Sequence, residues 1–358
     1  MGRKKRHTRA SKLLEHIDDL LGKLREQTPL ALETFDAKAV HAARVTTRRL
    51  TAVLELMSPV LTKSHRKPLL KGLKRLRKRL GDLRDADVLL DRIGQFPGNE
   101  KLSPAVDWMR DRLEKSRKKL QERSREKAPA RRAIKQTEGW GDVRQEIDEA
   151  NDAIDCLLAE SLHLQVDSFS EQATRLSTPK EPGASEAADD EMIHRPHQLR
   201  IAGKNLRYTL EIAEACGMRV GGGVMRVFKK MQDQLGAWHD WVVLADRTLE
   251  KIVDEELTMN AAAAENEIKL ARRCLRRSSR ELDRFIGTWR RKGTAIAERI
   301  RAAFPLTMQI PDPAEDPALE AASQPAVTES ETDPGPSDSV APRVPGDVPV
   351  HDPQADGA

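Results

Sequence analysis

Two triplets of basic side chains recur at one spacing. His41, Arg44 and Arg48 form the first; His197, Arg200 and Lys204 form the second, 156 residues later. Each stretch also carries a β-branched residue one place after its arginine (Val45, Ile201) and a leucine nine places after its histidine (Leu50, Leu206). These side chains suit an anionic partner, which charge alone does not name. Arginine offers a planar fork for two oxygens, and lysine offers a point charge. A histidine with an ordinary pKa near 6.5 gains a proton as an anion approaches, so affinity is expected to rise below neutral pH. Counterion release makes the same binding fall steeply with salt.

A helix is the element that puts these groups together. At about 100° per residue, positions 0, +3 and +7 fall within roughly 60° of one another. Leu50, Val53, Leu54 and Met57 then lie opposite the first triplet, and Leu199, Leu206, Leu210 and Ala213 opposite the second. Each helix buries one side and shows three basic groups on the other.

The repeat extends beyond the triplets. With an offset of 155, Leu69, Leu73 and Leu76 align with Val224, Phe228 and Met231, and Leu80 with Leu235. Lys71, Lys74 and Arg75 align with Arg226, Lys229 and Lys230, Gly81 with Gly236, and Asp85 with Asp240. The two aspartates are expected to cap helices or pair with cations rather than bind metal. The predicted fold is all-α: two pseudo-symmetric antiparallel helical bundles facing a basic central groove.

Periodicity predicts helices over about 13–28, ended by Thr28 and Pro29, then 36–57, 64–83 interrupted at Gly81, 84–93, 103–126 and 142–168. Further helices are predicted over 192–216, 224–235, 238–252 and 255–300. Residues 1–10 read as a basic tail and 171–191 as a linker between halves 11–170 and 192–304. Residues 305–358 hold 11 of the 20 prolines and read as a disordered acidic tail.

Composition narrows the functions. The chain has 358 residues with net charge +5, but residues 305–358 carry net −10, leaving +15 on the rest. A body this basic points to an anionic partner. Aromatics make up 3%, which argues against a base-stacking surface. Cys156, Cys216 and Cys274 form no CxxC pair and are read as reduced thiols. No apolar run approaches the roughly 20 residues of a membrane span, and no signal peptide is apparent. A cytoplasmic protein is expected.

The doubled pattern, His-x-x-Arg-[Val/Ile]-x-x-[Arg/Lys]-x-Leu followed by a basic helix and Leu-Gly-x-x-[Arg/His]-Asp, resembles the CHAD domain (conserved histidine α-helical domain). The resemblance covers about residues 11–304. It implies an all-helical fold around a basic groove and binding of inorganic polyphosphate, with some relatives at polyphosphate granules. By matching position, the implied groove residues are His41, Arg44, Arg48, His197, Arg200, Lys204 and Arg207. The implied helix cations are Lys71, Lys74, Arg75, Arg226, Lys229 and Lys230. Thr51 stands where the second copy has Arg207, with Arg49 as the nearby substitute, so the two walls are expected to differ. Relatives often carry a CYTH-type triphosphatase domain; no ExExK strand motif is found here, and a standalone domain is expected.

The resemblance thus implies a non-enzymatic polyphosphate binder, with no cofactor and no metal. Nucleic-acid binding through phosphates is the alternative; it lacks a base-reading motif. A phosphotransfer enzyme is the third reading, but no Gly-rich phosphate loop, paired-acid site or activated nucleophile accompanies either histidine.

Overall fold

Thr8 accepts a hydrogen bond from the Ser11 amide at 3.0 Å and starts α1 (Arg9–Pro29), whose leucines Leu13, Leu20 and Leu24 are buried. The computed structural model describes residues 8–97, 102–125, 130–178, 187–221, 223–256 and 264–306, except for the side chains of 187–194 and 256. Among the described residues the chain is all-α, without a strand. Of the tail expected over 1–10, Arg9 and Ala10 instead belong to α1; Asn151 Oδ1 accepts from the Ala10 amide at 3.1 Å and fixes this first turn. Residues 1–7 lie outside the described residues, as does the acidic tail beyond Leu306.

The α-helix ends at Pro29, as expected, but the chain does not turn away there. The chain widens into a π turn, Leu30–Thr34, and stops at Phe35 in the left-handed region (φ 57). Proline removes an amide donor; Thr28 Oγ1 donates to the Leu24 carbonyl at 2.6 Å, and the wide turn absorbs the mismatch. Asp36 then caps α2 (Ala37–Leu56) by accepting from the Ala39 amide at 2.7 Å. Helices α3 (Lys63–Arg79) and α4 (Gly81–Gly94) meet at Leu80. α5 (Ser103–Arg125) and the short α6 (Ala130–Lys135) follow.

The single helix expected over 142–168 is divided. α7 (Gly141–Glu149) and α8 (Ile154–Ser177) are joined by a 3₁₀ turn, Asn151–Ala153, whose Asn151 anchors α1. The expected linker 171–191 is correspondingly shorter. α8 runs to Ser177, whose carbonyl accepts from Arg290, and α9 (Ala187–Ala215) begins at Ala187. Gly236 leaves α10 (Val224–Glu256) unbroken, unlike Gly81, so the helices expected over 224–235 and 238–252 are one. α11 (Ala264–Ala303) packs along α10 and α8.

Two apolar cores form, and neither is confined to one sequence half. The larger joins α1, α2, α3, α7 and α8 with α9 and with the start of α10 and the end of α11. Phe169 is a centre of it, edge-on to Phe228, Phe285 and Trp289 at 5.3, 6.5 and 5.5 Å between ring centres. The smaller joins α4 and α5 with Trp241, Leu244 and Leu270. The halves share their cores and cannot exclude water separately. Cys216 and Cys274 are buried free thiols, pushed up by burial to about 11 and about 12.

Candidate functional site

The buried stripe of α2, from Val40 through Ala43, Leu50, Val53 and Leu54, turns Arg44 and Arg48 toward α3, α4 and α9. On α9, Leu199, Leu206 and Leu210 do the same for Arg200 and Lys204. The two triplet helices pack against each other, so the repeated motifs converge. Arg48 acts electrostatically on Arg200, Lys204, Arg77 and His41, which places it at the middle of the cluster.

Arg44 is held. Its Nη1 donates to the Arg77 carbonyl at 3.2 Å, and its Nη2 lies 3.9 Å from Asp85 Oδ1. Gly81 makes room for it: a Cβ there would stand 3.0 Å from Arg44 Nη1. Gly203, between Arg200 and Lys204, allows a closer approach still: a Cβ there would meet Gln232 Nε2 at 1.8 Å and the Phe169 ring at 2.9 Å, so both would have to shift. Removing that side chain lets α9 lie close on α10.

Burial and crowding lower every shifted group in the cluster. His41 is lowered by burial, then by Arg84, Arg48, Arg44 and Arg207. Arg44, Arg77 and Arg200 are lowered chiefly by burial, with Asp85 and Asp240 opposing the shift at Arg44 and Arg200. Lys204 falls from 10.5 to about 6 through burial, Arg200 and Arg48. His239 falls to about 3 through burial, Arg200, His197 and Lys204; its ring centre is 5.3 Å from that of His197. The ordinary histidine pKa expected from sequence therefore does not hold for His41: desolvation and the neighbouring arginines lower it.

Most of these cations lack the partners that arginines elsewhere in the chain have. Arg92 is bonded to Asp240 at 3.0 Å, Arg117 to Asp87 at 2.6 Å and Arg9 to Asp155 at 3.0 Å. Among the described residues, the side chains of Arg48, Arg77, Arg84, Arg200 and Lys204 make no hydrogen bond or ion pair, and Arg200 Nε is buried without a partner. A partly buried cation without an acceptor is costly, so the arrangement is poised for an external anion.

The other expected residues divide. Arg49 and Arg207 meet at Glu211, at 2.8 and 2.9 Å, so this carboxylate links the two motifs and occupies both guanidinium groups. Arg207 still acts on His41. Lys71, Lys74, Arg75, Arg226, Lys229 and Lys230 are all exposed on the outer faces of α3 and α10. None is among the charges that act most strongly on the shifted groups. The cation that α3 contributes is Arg77, one turn beyond buried Leu73. Neither aspartate caps a helix: Asp85 lies inside α4 beside Arg44, and Asp240 inside α10 bonds Arg92.

Sequence reasoning missed Arg77, Arg84 and His239. The signal for two of them was present, because Arg84 and His239 are aligned residues of the Leu-Gly-x-x-[Arg/His]-Asp motif whose aspartates drew attention. Arg77 aligns with Gln232 and carries no repeat signal. Among the described residues no group of three or more His, Cys, Asp or Glu could hold a metal ion. No described helix is long and apolar enough to cross a membrane.

The family model of the CHAD domain matches residues 15–249. The crystal structure of the CHAD domain from the plant Ricinus communis aligns with a TM-score of 0.50 at 18% identity, over 84% of this chain and 93% of that one. PptA from Streptomyces chartreusis aligns with a TM-score of 0.47 at 18% identity, over 76% and 99%. No curated protein matches the chain. The match ends within α10, so α11 lies beyond it.

Proposed function

The chain belongs to the CHAD domain family, and on that premise we propose that it binds inorganic polyphosphate, without enzymatic action, in a basic groove between α2 and α9. The observation that supports this most directly is the set of cations without hydrogen-bonded partners: among the described residues Arg48, Arg77, Arg84, Arg200 and Lys204 crowd together with no ion pair, and the more distant Asp240, Asp85 and Glu55 offset only part of the repulsion. A polyphosphate segment supplies oxygens at close, regular spacing and relieves both the repulsion and the lost solvation. The exposed cations Lys71, Lys74, Arg75, Arg226, Lys229 and Lys230 have solvated charges and add a weaker, salt-screened attraction.

Calorimetric titration with long-chain polyphosphate tests the reading on wild type, Arg48→Ala and an Arg44→Ala/Arg200→Ala double variant. The double variant is expected to lose at least tenfold in affinity, at about 1–3 kcal/mol per charge-assisted contact. Unchanged affinity in a variant whose circular dichroism is that of the wild type defeats the proposal. Duplex DNA offered at equal phosphate concentration separates the nucleic-acid alternative, since displacement of polyphosphate would favour it. Release of orthophosphate from polyphosphate by the purified protein, lost in His41→Ala, would favour the enzymatic one.

A further inference from the structure

The hairpin of α10 and α11 leaves a strip of large apolar side chains in solvent. Leu249 and Val253 on α10 are 41% and 64% exposed, and Ile268 and Leu275 on α11 are 37% and 41% exposed. Their direction follows from what holds the hairpin on its other side. α4 packs on α10 and α5 on α11. Arg112 of α5 donates from Nε to Glu255 Oε1 on α10 at 2.7 Å. Arg277 of α11 lies over the ring of Phe96, just beyond α4, at 4.2 Å from its centre. Around α10, Leu249 and Val253 stand about 120° and 160° from Glu255; around α11, Leu275 and Ile268 stand about 160° and 180° from Arg277. Both pairs therefore point away from α4 and α5, and they share the outer side of the hairpin.

Charges border this strip in a fixed order. Around α10, counted from buried Ile252, Leu249, Val253, Asp246 and Glu250 follow at about 60°, 100°, 120° and 160°. Around α11, counted in the same sense from buried Ala271, Leu275, Ile268, Arg272 and Arg276 follow at about 40°, 60°, 100° and 140°. The outer edge of α10 is thus acidic and that of α11 basic, with the apolar strip between them. Leu244 and Ala245 share a core with Leu270 and Cys274, which sets Asp246 and Arg272 at one level along the hairpin. Asp246, Arg272 and Arg276 are exposed, and among the described residues they make no hydrogen bond or ion pair. Burial and Glu250 raise the Asp246 carboxyl, and the cation that opposes them is Arg247 of its own helix rather than an arginine of α11.

We propose that this face pairs with the same face of a second copy of the chain, α10 of each copy lying on α11 of the other. A two-fold axis along the hairpin gives that arrangement, and it sets the acidic edge of each copy on the basic edge of its partner. The four helices then enclose the apolar strip as a four-helix bundle does. The order of charges selects a copy of the same surface: acid meets base at both edges, whereas a face of one sign would repel its own copy. The face is about 24 Å long, from roughly 16 residues of α11 at 1.5 Å each, and roughly 20 Å wide across two helices. Its footprint, on the order of 500 Å² per copy, is smaller than the about 800 Å² of a standard interface. The dimer is therefore reversible, with a dissociation constant on the order of 10–100 μM. The pairing does not depend on polyphosphate binding.

Sedimentation velocity of the full-length protein between about 1 and 300 μM reads the equilibrium. Wild type is expected to pass from monomer to dimer across that range. Val253→Glu, at an exposed position outside both cores, is expected to weaken association at least tenfold. Asp246→Arg and Arg272→Glu are each expected to weaken it too, because each gives one chain two edges of like charge. Mixed in equal amounts, these two variants are expected to recover the association of the wild type, since one chain then offers two basic edges and the other two acidic ones. Circular dichroism of each variant checks that the helices are intact. A monomer at every concentration overturns the proposal and leaves the face to a different occupant. A dimer that Val253→Glu does not weaken overturns it as well, because the contact then lies elsewhere. A mixture that associates no better than its two components overturns the pairing of α10 with α11.

Discussion

Replacing Lys204 by methionine tests the electrostatics of the cluster with no ligand present. Methionine keeps the length and apolar stem of the lysine and removes the titrating amine. In the folded chain Lys204 is lowered from 10.5 to about 6 by burial, Arg200 and Arg48; unfolded, it returns to about 10.4. Between those values the unfolded chain binds a proton that the folded chain does not, so stability rises with pH. Lys204 therefore destabilises the fold when the pH is below 10.4. The cost grows by about 1.4 kcal/mol per unit as pH falls and levels off below about 6. At pH 7 the full shift amounts to roughly 4–5 kcal/mol, and screening of the partly exposed amine reduces it to about 2–4 kcal/mol. Lys204→Met is expected to exceed wild type in stability by that amount at pH 7 and by less than about 1 kcal/mol at pH 10. Urea unfolding followed by circular dichroism between pH 6.5 and 10 measures both. A difference that is the same at pH 7 and pH 10, or a variant less stable at pH 7, refutes the reasoning.

Four further outcomes follow from the same geometry. Arg48→Ala is expected to weaken polyphosphate binding more than Lys74→Ala does, and to reduce the slope of log affinity against log salt by about 1; fluorescence titrations at several salt concentrations read both. Glu211→Ala releases Arg49 and Arg207, so polyphosphate affinity is expected to rise while the fold loses about 1–3 kcal/mol, as read by calorimetry and urea unfolding. Polyphosphate binding near pH 7.5 is expected to take up protons at Lys204 and His41, seen as a dependence of calorimetric heat on the ionisation enthalpy of the buffer, and affinity should rise as pH falls toward 6. Gly203→Ala drives a methyl group into Gln232 and Phe169; a loss of about 1–3 kcal/mol is expected in thermal or urea unfolding.

Helical periodicity is local, and the sequence by itself determined what depends on it. Leu50, Val53 and Leu54 had to lie opposite His41, Arg44 and Arg48, and the second copy had to follow, because side-chain angle around a helix depends only on residue spacing. Membership of the CHAD family was legible for the same reason: its motif is spacing on two helices. Tertiary structure alone decided which basic faces meet. Lys71, Lys74 and Arg75 were as good candidates by composition as Arg77, but only Arg77 lies on the side of α3 that the core turns toward Arg48. Glu211 gave no sign in sequence that it would bond Arg49 from the other half, 162 residues away. The depression of Lys204 was equally hidden, since desolvation depends on every helix that crowds the amine. Spacing along one helix sets an angle; the neighbours that an angle meets, and the water they exclude, are properties of the packed chain.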